Sequence, residues 1–246
     1  MMTVRNLPTS APNDEAEEAI ANNWKAVVAR ALAAATRVGR KPEDVTIVAV
    51  TKTHPAWVAR AAVKAGATDL GENYVQEMAE KRAELAQDGA EPRWHFLGHL
   101  QRNKAKYLAG WCHLIHSVDS LELAVEIDRQ AAKAGATQAI LVQVDLAGEE
   151  TKFGVPAKEA VEMASRAAEL EHVRVAGLMT IPPWTEDAEA SRPIYRRLAE
   201  LAAEMRGEGL KGIDELSMGM TQDFETAIEE GATIVRVGTA IFGARR

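Results

Sequence analysis

One lysine directly follows the clearest strand pattern in the sequence. Residues 45–51 form a β-branched, nearly continuous apolar run, which is typical of a strand buried on both faces, and Lys52 comes next. A lysine amine that is partly removed from water, near another cation, is held neutral and can attack an aldehyde. A lysine in this place can also pack its stem and keep its charged head in water. Position alone leaves both interpretations open.

Two glycine-containing loops near the end of the chain have the composition of a phosphate site. The first contains Ser217 and Gly219, and the second contains Gly238 and Thr239. The glycines permit close approach of a ligand to the backbone, and the hydroxyl groups add donors. Each glycine alone could simply make a turn. Two such loops after the last two predicted strands favour a phosphate-bearing ligand, because barrels often bind phosphate there.

Other polar residues are weaker candidates. Those that follow the remaining predicted strands are Glu72, Asn73, His99, Ser117, Asp119, Asp145 and Thr180. The histidines show no zinc-type spacing with acidic residues or Cys112, so no metal site is predicted. His95 alternates with Trp94 and Phe96 on a strand, which favours a core or wall position. Met218 is most simply a packing residue and can still border a ligand.

Strand-like and helix-like segments alternate from residue 45 to the end of the chain. Strands are predicted at 45–51, 69–71, 94–97, 114–118, 139–145, 173–179, 215–217 and 233–237, and helices at 55–65, 74–87, 103–108, 120–134, 156–170, 187–206 and 221–230. Gly66, Gly135 and Gly231 each open a Gly-Ala-Thr phrase at a helix-to-strand turn. Eight predicted strands that alternate with helices within about 200 residues predict an α/β fold, a single (β/α)8 TIM-type barrel. An open doubly wound sheet is the alternative, but the first strand lacks a G-x-G-x-x-G turn.

An additional helix is predicted before the barrel. Residues 14–38 place Ile20, Trp24 and Val27 at helical spacing, and Gly39 ends the segment. Residues 1–13 have no apolar period and are predicted to be a flexible tail. The barrel domain is therefore assigned to residues 14–246.

Composition narrows the class of protein. The chain has 246 residues, 47% hydrophobic residues, a formal net charge of −7 and one cysteine. The charge argues against generic nucleic-acid binding, and Cys112 has no partner for an internal disulfide. No apolar run approaches the roughly 20 residues of a membrane helix, and the N-terminus lacks a signal-peptide core. A cytoplasmic protein without membrane or nucleic-acid partners is predicted.

The sequence resembles the pyridoxal phosphate homeostasis protein family, single-domain relatives of the alanine racemase barrel. The matching stretches are Ala49–Thr53, Gly71–Glu77, Trp94–Lys104, Gly177–Pro182, Leu216–Met220 and Val235–Arg245. They occur in order across nearly the whole chain and at predicted strand ends. Together they are highly specific, although any one of them would not be.

The resemblance implies a set of cofactor-binding residues. Lys52 is implied to form an internal aldimine with pyridoxal 5′-phosphate, and Asn73 to border that cofactor. Ser217, Gly238 and Thr239 are implied to hold its phosphate, and Met218 and Gly219 complete the predicted set. Arg236 is implied to face the pyridine nitrogen. Because arginine only donates hydrogen bonds, that nitrogen would be unprotonated and the ring a poor electron sink.

A second lysine of the family near the site corresponds to Lys152. The next residue departs from the family pattern, since Phe153 stands where a smaller polar residue is common. This departure touches none of the predicted cofactor residues.

Three functions are compatible with these residues. The resemblance favours a monomeric binding protein that stores, buffers or delivers the cofactor, with apo forms of pyridoxal-phosphate enzymes as partners. The alternative is an amino-acid racemase, which would need a second base across the cofactor. In this fold a partner subunit's second domain supplies that tyrosine, and we expect none here because the sequence ends at Arg246. A Schiff-base aldolase using Lys52 without cofactor is the third, and bound pyridoxal phosphate would dismiss it.

Overall fold

A closed parallel barrel forms the centre of the computed structural model, which describes residues 13–148 and 153–243. The strands are β1 (Thr46–Val50), β2 (Asp69–Glu72), β3 (Arg93–Phe96), β4 (Leu114–Val118), β5 (Gln138–Asp145), β6 (Val155–Pro156), β7 (Val173–Met179), β8 (Glu215–Ser217) and β9 (Ile234–Val237). The short β6 pairs with β5 at the end of the nine-stranded order. The other eight follow the order β4-β3-β2-β1-β9-β8-β7-β5, and β4 pairs with β5 to close the ring. The predicted barrel is confirmed.

Helices surround the barrel. They are α1 (Asp14–Arg37), α2 (Ala56–Lys64), α3 (Val75–Gln87), α4 (Leu121–Lys133), α5 (Ala157–Ala168), α6 (Arg192–Gly207), α7 (Phe224–Glu229) and α8 (Thr239–Phe242), with 3-10 turns at Pro42–Asp44, Arg102–Tyr107 and Ala188–Ser191. Helix α1 is the predicted additional helix. The Asn13 side chain caps it by accepting from the Ala16 N–H at 2.8 Å. Of the predicted tail, residues 1–12 lie outside the described residues. No helix in the described ranges is long and apolar enough to cross a membrane.

Three predicted helices differ from the structure. The segment 103–108 is a 3-10 turn, in which i→i+3 bonding brings the buried side chains of Ala105 and Leu108 to one side. The segment 187–206 begins as a 3-10 turn, and α6 starts only at Arg192, with a proline in its first turn. The segment 221–230 becomes helical only at Phe224, because the Asp223 carboxylate first accepts the Met220 N–H at 2.8 Å.

Alternation along the strands separates two buried layers. On β9, Ile234 packs in a cluster inside the barrel, whereas Val235 and Val237 pack in the larger cluster between strands and helices. Arg236 therefore faces the interior, where it is 5% exposed. The same alternation turns Val48 and Val50 of β1 inward. The barrel thus encloses polar side chains as well as apolar ones, and these lead toward the predicted site.

Candidate functional site

Lys52 lies at the C-terminal end of β1 and is half-buried. The next residue, Thr53, has a φ of 65°, which is uncommon outside glycine. Its N–H donates to the Glu77 carboxylate on α3 at 2.6 Å. A tight turn anchored to the first turn of α3 therefore follows the predicted nucleophile directly.

A buried lysine on α3 organises the same turn. Lys81 is 4% exposed, and its Nζ donates to Glu72 at 2.6 Å, Glu77 at 2.7 Å and the Thr51 carbonyl oxygen at 2.7 Å. The network thus holds the backbone on both sides of Lys52. Lys81 is not among the residues predicted from the sequence, although its spacing from Met78 and Leu85 places it on the apolar face of the predicted helix.

Two polar oxygens at the end of β2 are buried without a hydrogen bond to any described residue. They are Glu72 Oε2 and Asn73 Oδ1. Burial raises the pKa of the Glu72 carboxyl, against the opposing charge of Lys81. The Asn73 backbone is fixed by Gly98, where a Cβ would lie 2.1 Å from the Asn73 carbonyl oxygen. The Asn73 backbone thus packs closely against Gly98, and its side-chain oxygen has no hydrogen-bond partner among the described residues.

Arg236 is a buried cation on β9. Its guanidinium donates to Ser217 Oγ at 2.7 Å and to the Thr180 carbonyl oxygen at 3.0 Å. Burial lowers its pKa to about 10, so it stays charged at neutral pH. It forms no ion pair with any carboxylate among the described residues. Both hydrogen-bond acceptors are neutral, and the Asp223 carboxylate acts on Arg236 only through space. An anionic or electron-rich ligand is therefore favoured at this end of the barrel.

The two predicted phosphate loops meet beside β1. The backbone N–H of Arg236 donates to the Gly219 carbonyl oxygen at 3.0 Å, and the backbone N–H of Ala240 donates to Thr221 Oγ1 at 3.2 Å. A Cβ at Gly238 would lie 3.3 Å from the Val50 carbonyl oxygen. The loops are therefore close to each other and to the end of β1 that precedes Lys52. Thr221, which is not among the predicted site residues, bridges them.

The predicted residues of these loops differ in what they offer. Thr239 is exposed at the start of α8, whereas Ser217 is fully buried and also lies 2.8 Å from His116 Nδ1. The Met218 side chain is buried among the helices in the outer cluster, so it faces away from the barrel interior. Whatever Met218 contributes to a ligand must therefore come from its backbone.

Lys152 lies outside the described residues. Its neighbour Phe153 stacks on the His99 ring with centroids 3.8 Å apart, and His99 Nδ1 lies 3.2 Å from Asp119. This stacking brings the end of the loop after β5 to the residues that follow β3. The loop of the predicted second lysine thus ends at the same rim as Asn73.

Comparison with known proteins identifies the family. The model of the alanine racemase N-terminal domain matches residues 16–246. A pyridoxal phosphate homeostasis protein of Aquifex aeolicus is 45% identical over 220 residues, which cover 89% of this chain and 96% of that protein. This chain belongs to the pyridoxal phosphate homeostasis protein family. The resemblance found in the sequence is therefore confirmed.

Solved structures agree with this family assignment. A protein of unknown function from Bifidobacterium adolescentis superposes with a TM-score of 0.87 at 36% identity, covering 97% of this chain and 100% of that one. PipY of Synechococcus elongatus PCC7942, solved with pyridoxal phosphate bound, superposes with a TM-score of 0.80 at 36% identity, covering 91% of this chain and 100% of that one. Two solved relatives thus share this barrel, and one of them was solved with pyridoxal phosphate bound.

Proposed function

We propose that this chain binds pyridoxal 5′-phosphate and acts in intracellular vitamin B6 homeostasis. The observation that carries the proposal is Arg236, a buried cation without a carboxylate partner among the described residues, at the barrel end where Lys52 lies. The residues fit the cofactor. An amine, a buried cation, two glycine loops and the unpartnered Asn73 Oδ1 match its aldehyde, ring, phosphate and remaining polar groups.

Each residue has a distinct part in this proposal. The bound cofactor supplies an aldehyde carbon, which Lys52 Nζ holds as a Schiff base. Arg236 faces the ring nitrogen, and Asn73 borders the ring. The backbones of Gly219 and Gly238 and the Thr239 hydroxyl hold the phosphate. Lys152, which lies outside the described residues, is a second amine for the cofactor.

The proposed role is to hold and release the cofactor. A lysine Schiff base is reversible, so the chain can store or buffer the cofactor, or deliver it to apo forms of the enzymes that use it. We propose a cytoplasmic monomer without a dedicated reaction of its own. The family names given to the relatives support this role over catalysis.

The test of the proposed function is covalent trapping. Purified protein with added cofactor is expected to absorb visible light, and borohydride should bleach that band and fix the cofactor on Lys52. Lys52→Ala should lose the adduct, whereas Lys158→Ala, at a side chain 82% exposed, should keep it. Peptide mapping that found the reduced cofactor on another lysine of the unaltered protein would contradict the assignment.

The phosphate contact at Thr239 gives a second prediction. Thr239→Val keeps the shape of the side chain and removes its donor. A hydrogen bond to a charged group is worth roughly 1.5–3 kcal/mol, so affinity for pyridoxal 5′-phosphate should fall about ten- to a hundredfold. Affinity for pyridoxal, which lacks the phosphate, should hardly change in the same spectroscopic titration. Equal losses for both ligands would mean that the substitution acts on the fold.

A further inference from the structure

A chain of buried polar side chains runs through the barrel interior from the proposed cofactor end. Arg236 donates to Ser217 Oγ at 2.7 Å, and Ser217 Oγ lies 2.8 Å from His116 Nδ1. His116 Nε2 lies 2.9 Å from His95 Nδ1, and His95 Nε2 lies 2.8 Å from Asp69 Oδ1. All five side chains are at most 5% exposed. Of these five residues the proposed function uses only Arg236, so the other four need an explanation.

At the far end of this series of hydrogen bonds, Asp69 determines the position of one proton. Burial of Asp69 opposes its ionisation, but hydrogen bonds from His95, Arg93 and Thr68 together hold its pKa at about 2. An ionised carboxylate only accepts hydrogen bonds. His95 Nε2 must therefore carry a hydrogen and donate it to Asp69.

The protonation of the two histidines then determines the direction of the remaining hydrogen bonds. Burial lowers the pKa of His116 well below its ordinary value, and the positive charge of Arg236 adds to this effect. Arg93 already pairs with the Asp69 carboxylate at 2.7 Å, so a second cation on His95 would have no charge of its own to balance it. With both rings neutral, His95 Nδ1 accepts from His116 Nε2–H, and His116 Nδ1 must accept from the Ser217 hydroxyl.

We propose that Asp69, His95 and His116 are positioning residues that keep the Ser217 hydroxyl hydrogen turned into the barrel. Ser217 then offers its lone pair to Arg236. Together with the Thr180 carbonyl oxygen, this acceptor sets the plane of the guanidinium. The hydrogen bonds run in one direction, from the Arg236 cation to the Asp69 carboxylate. The role assigned at the cofactor rests on the proposed function, whereas the direction of the hydrogen bonds does not.

This direction changes the part that Ser217 plays. Its single hydrogen is committed to His116, so it is not available to the phosphate, where the family resemblance placed it. A Ser217 hydroxyl that could donate to the phosphate would require the opposite arrangement. His116 would then donate from Nδ1, and His95 would carry an additional proton. Ser217 therefore serves the ring end of the site through Arg236, and the phosphate is left to the glycine loops and Thr239.

The direct test is the protonation of the two histidines, observed by NMR on protein with ¹⁵N-labelled histidine and no cofactor. Both rings are expected to be neutral and protonated at Nε2. Ser217→Ala should shift the His116 Nδ1 resonance, because that nitrogen loses its donor. A proton on His116 Nδ1, or a doubly protonated His95, would overturn the proposal. Neither result depends on cofactor binding, so failure here is separate from failure of the trapping test on Lys52.

The second test compares ligands with and without phosphate. Ser217→Ala and His116→Leu are expected to weaken pyridoxal 5′-phosphate and pyridoxal by the same factor, about tenfold or more. His116→Gln should restore most of the affinity, because its amide can accept from Ser217 and donate to His95. Loss confined to the phosphate-bearing ligand in Ser217→Ala would overturn the assignment. If His116→Leu does not fold, the Ser217→Ala titration and the NMR result still decide.

Discussion

Lys81→Met is expected to lower the free energy of unfolding by about 3–5 kcal/mol. The methionine occupies similar space and removes the cation that Glu72, Glu77 and the Thr51 carbonyl oxygen share. Glu72 is fully buried, so its carboxylate would have neither water nor a cation to stabilise it. Removing one partner of a buried pair is strongly destabilising for this reason.

The measurement is urea unfolding of the apo protein at neutral pH, followed by circular dichroism. Lys64→Met is the matched control, because Lys64 is 60% exposed and pairs with Glu17 at the surface. An exposed pair contributes at most about 1 kcal/mol, so this variant should unfold almost like the unaltered protein. Similar losses in the two variants would contradict the role given to the Lys81 network.

The deficit of Lys81→Met should depend on pH in a defined direction. Burial raises the pKa of Glu72, and Lys81 opposes that rise, so removing Lys81 raises the pKa further. A carboxyl with a raised folded-state pKa binds more protons when folded, and stability then falls as pH rises between the unfolded and folded values. The deficit should therefore shrink as pH is lowered toward about 4.3, the ordinary value for glutamate. A deficit independent of pH would show that another group is left uncompensated.

The barrel and the strand ends that carry the candidate site residues could be predicted from the sequence because both rest on local patterns. The apolar run before Lys52 and the glycines after successive helices fix where strands begin and end. Parallel strands then bring their C-terminal ends to one rim, so Asn73 and Gly238 fall on the same side as Lys52 without any knowledge of distances. The roles expected of these residues toward a cofactor came from the family motifs.

The hydrogen-bond network of Lys81 beside Lys52 could be predicted only in part from the sequence. Lys81 lies three residues after Met78 and four before Leu85, so helical spacing already placed a charged group on a buried face. Its partners could not be predicted, because Glu72 and Thr51 reach it only once β1 and β2 pair, with Val50 opposite Gly71. A buried charge is a reason to search for partners, but the sequence does not say where they are.

The hydrogen bonds that link Arg236 to Asp69 through the barrel interior could not be predicted for a similar reason. Alternation made His95 a core or wall residue, which the structure confirms. Its contact with His116 depends on the pairing of β3 with β4, where His95 stands opposite Leu114. Register between strands is set by packing across the whole barrel, and no local pattern encodes it. A pair of histidines 21 residues apart therefore gave no signal in the sequence.

The protein loaded with cofactor is expected to exchange the α-protons of amino acids slowly. This prediction rests on the proposed function and on the absence of a fixed base among the described tyrosines. The Tyr195 hydroxyl is buried and donates to Asp223 at 2.7 Å, and burial, with the charge of Asp223, raises its pKa. Tyr74 and Tyr107 are 59% and 49% exposed, and neither hydroxyl has a hydrogen-bond partner among the described residues. A catalytic base must be held in place and free to accept a proton. The Tyr195 hydroxyl is committed to Asp223, and the exposed hydroxyls of Tyr74 and Tyr107 are not held.

In the proposed site, Arg236 disfavours the same reaction through the cofactor ring. Arginine donates and stays charged, so a ring nitrogen that faces it remains unprotonated and the ring withdraws fewer electrons from the α-carbon. Both deficits act on removal of the α-proton. General-base catalysis alone contributes about 10²–10⁴ in rate, so its loss should be plain.

The measurement is α-proton exchange in deuterated water, followed by NMR for each common L-amino acid with the loaded protein. Slow exchange of similar rate across amino acids is expected, since a Schiff base can form with many amines without a dedicated base. Turnover of one amino acid at an enzymatic rate, on the order of 1 s⁻¹, would contradict the binding-protein proposal. His99, 3.2 Å from Asp119 at the rim, is the residue to replace in that case. Rapid exchange that His99→Gln abolished would identify it as the base and make the protein an enzyme.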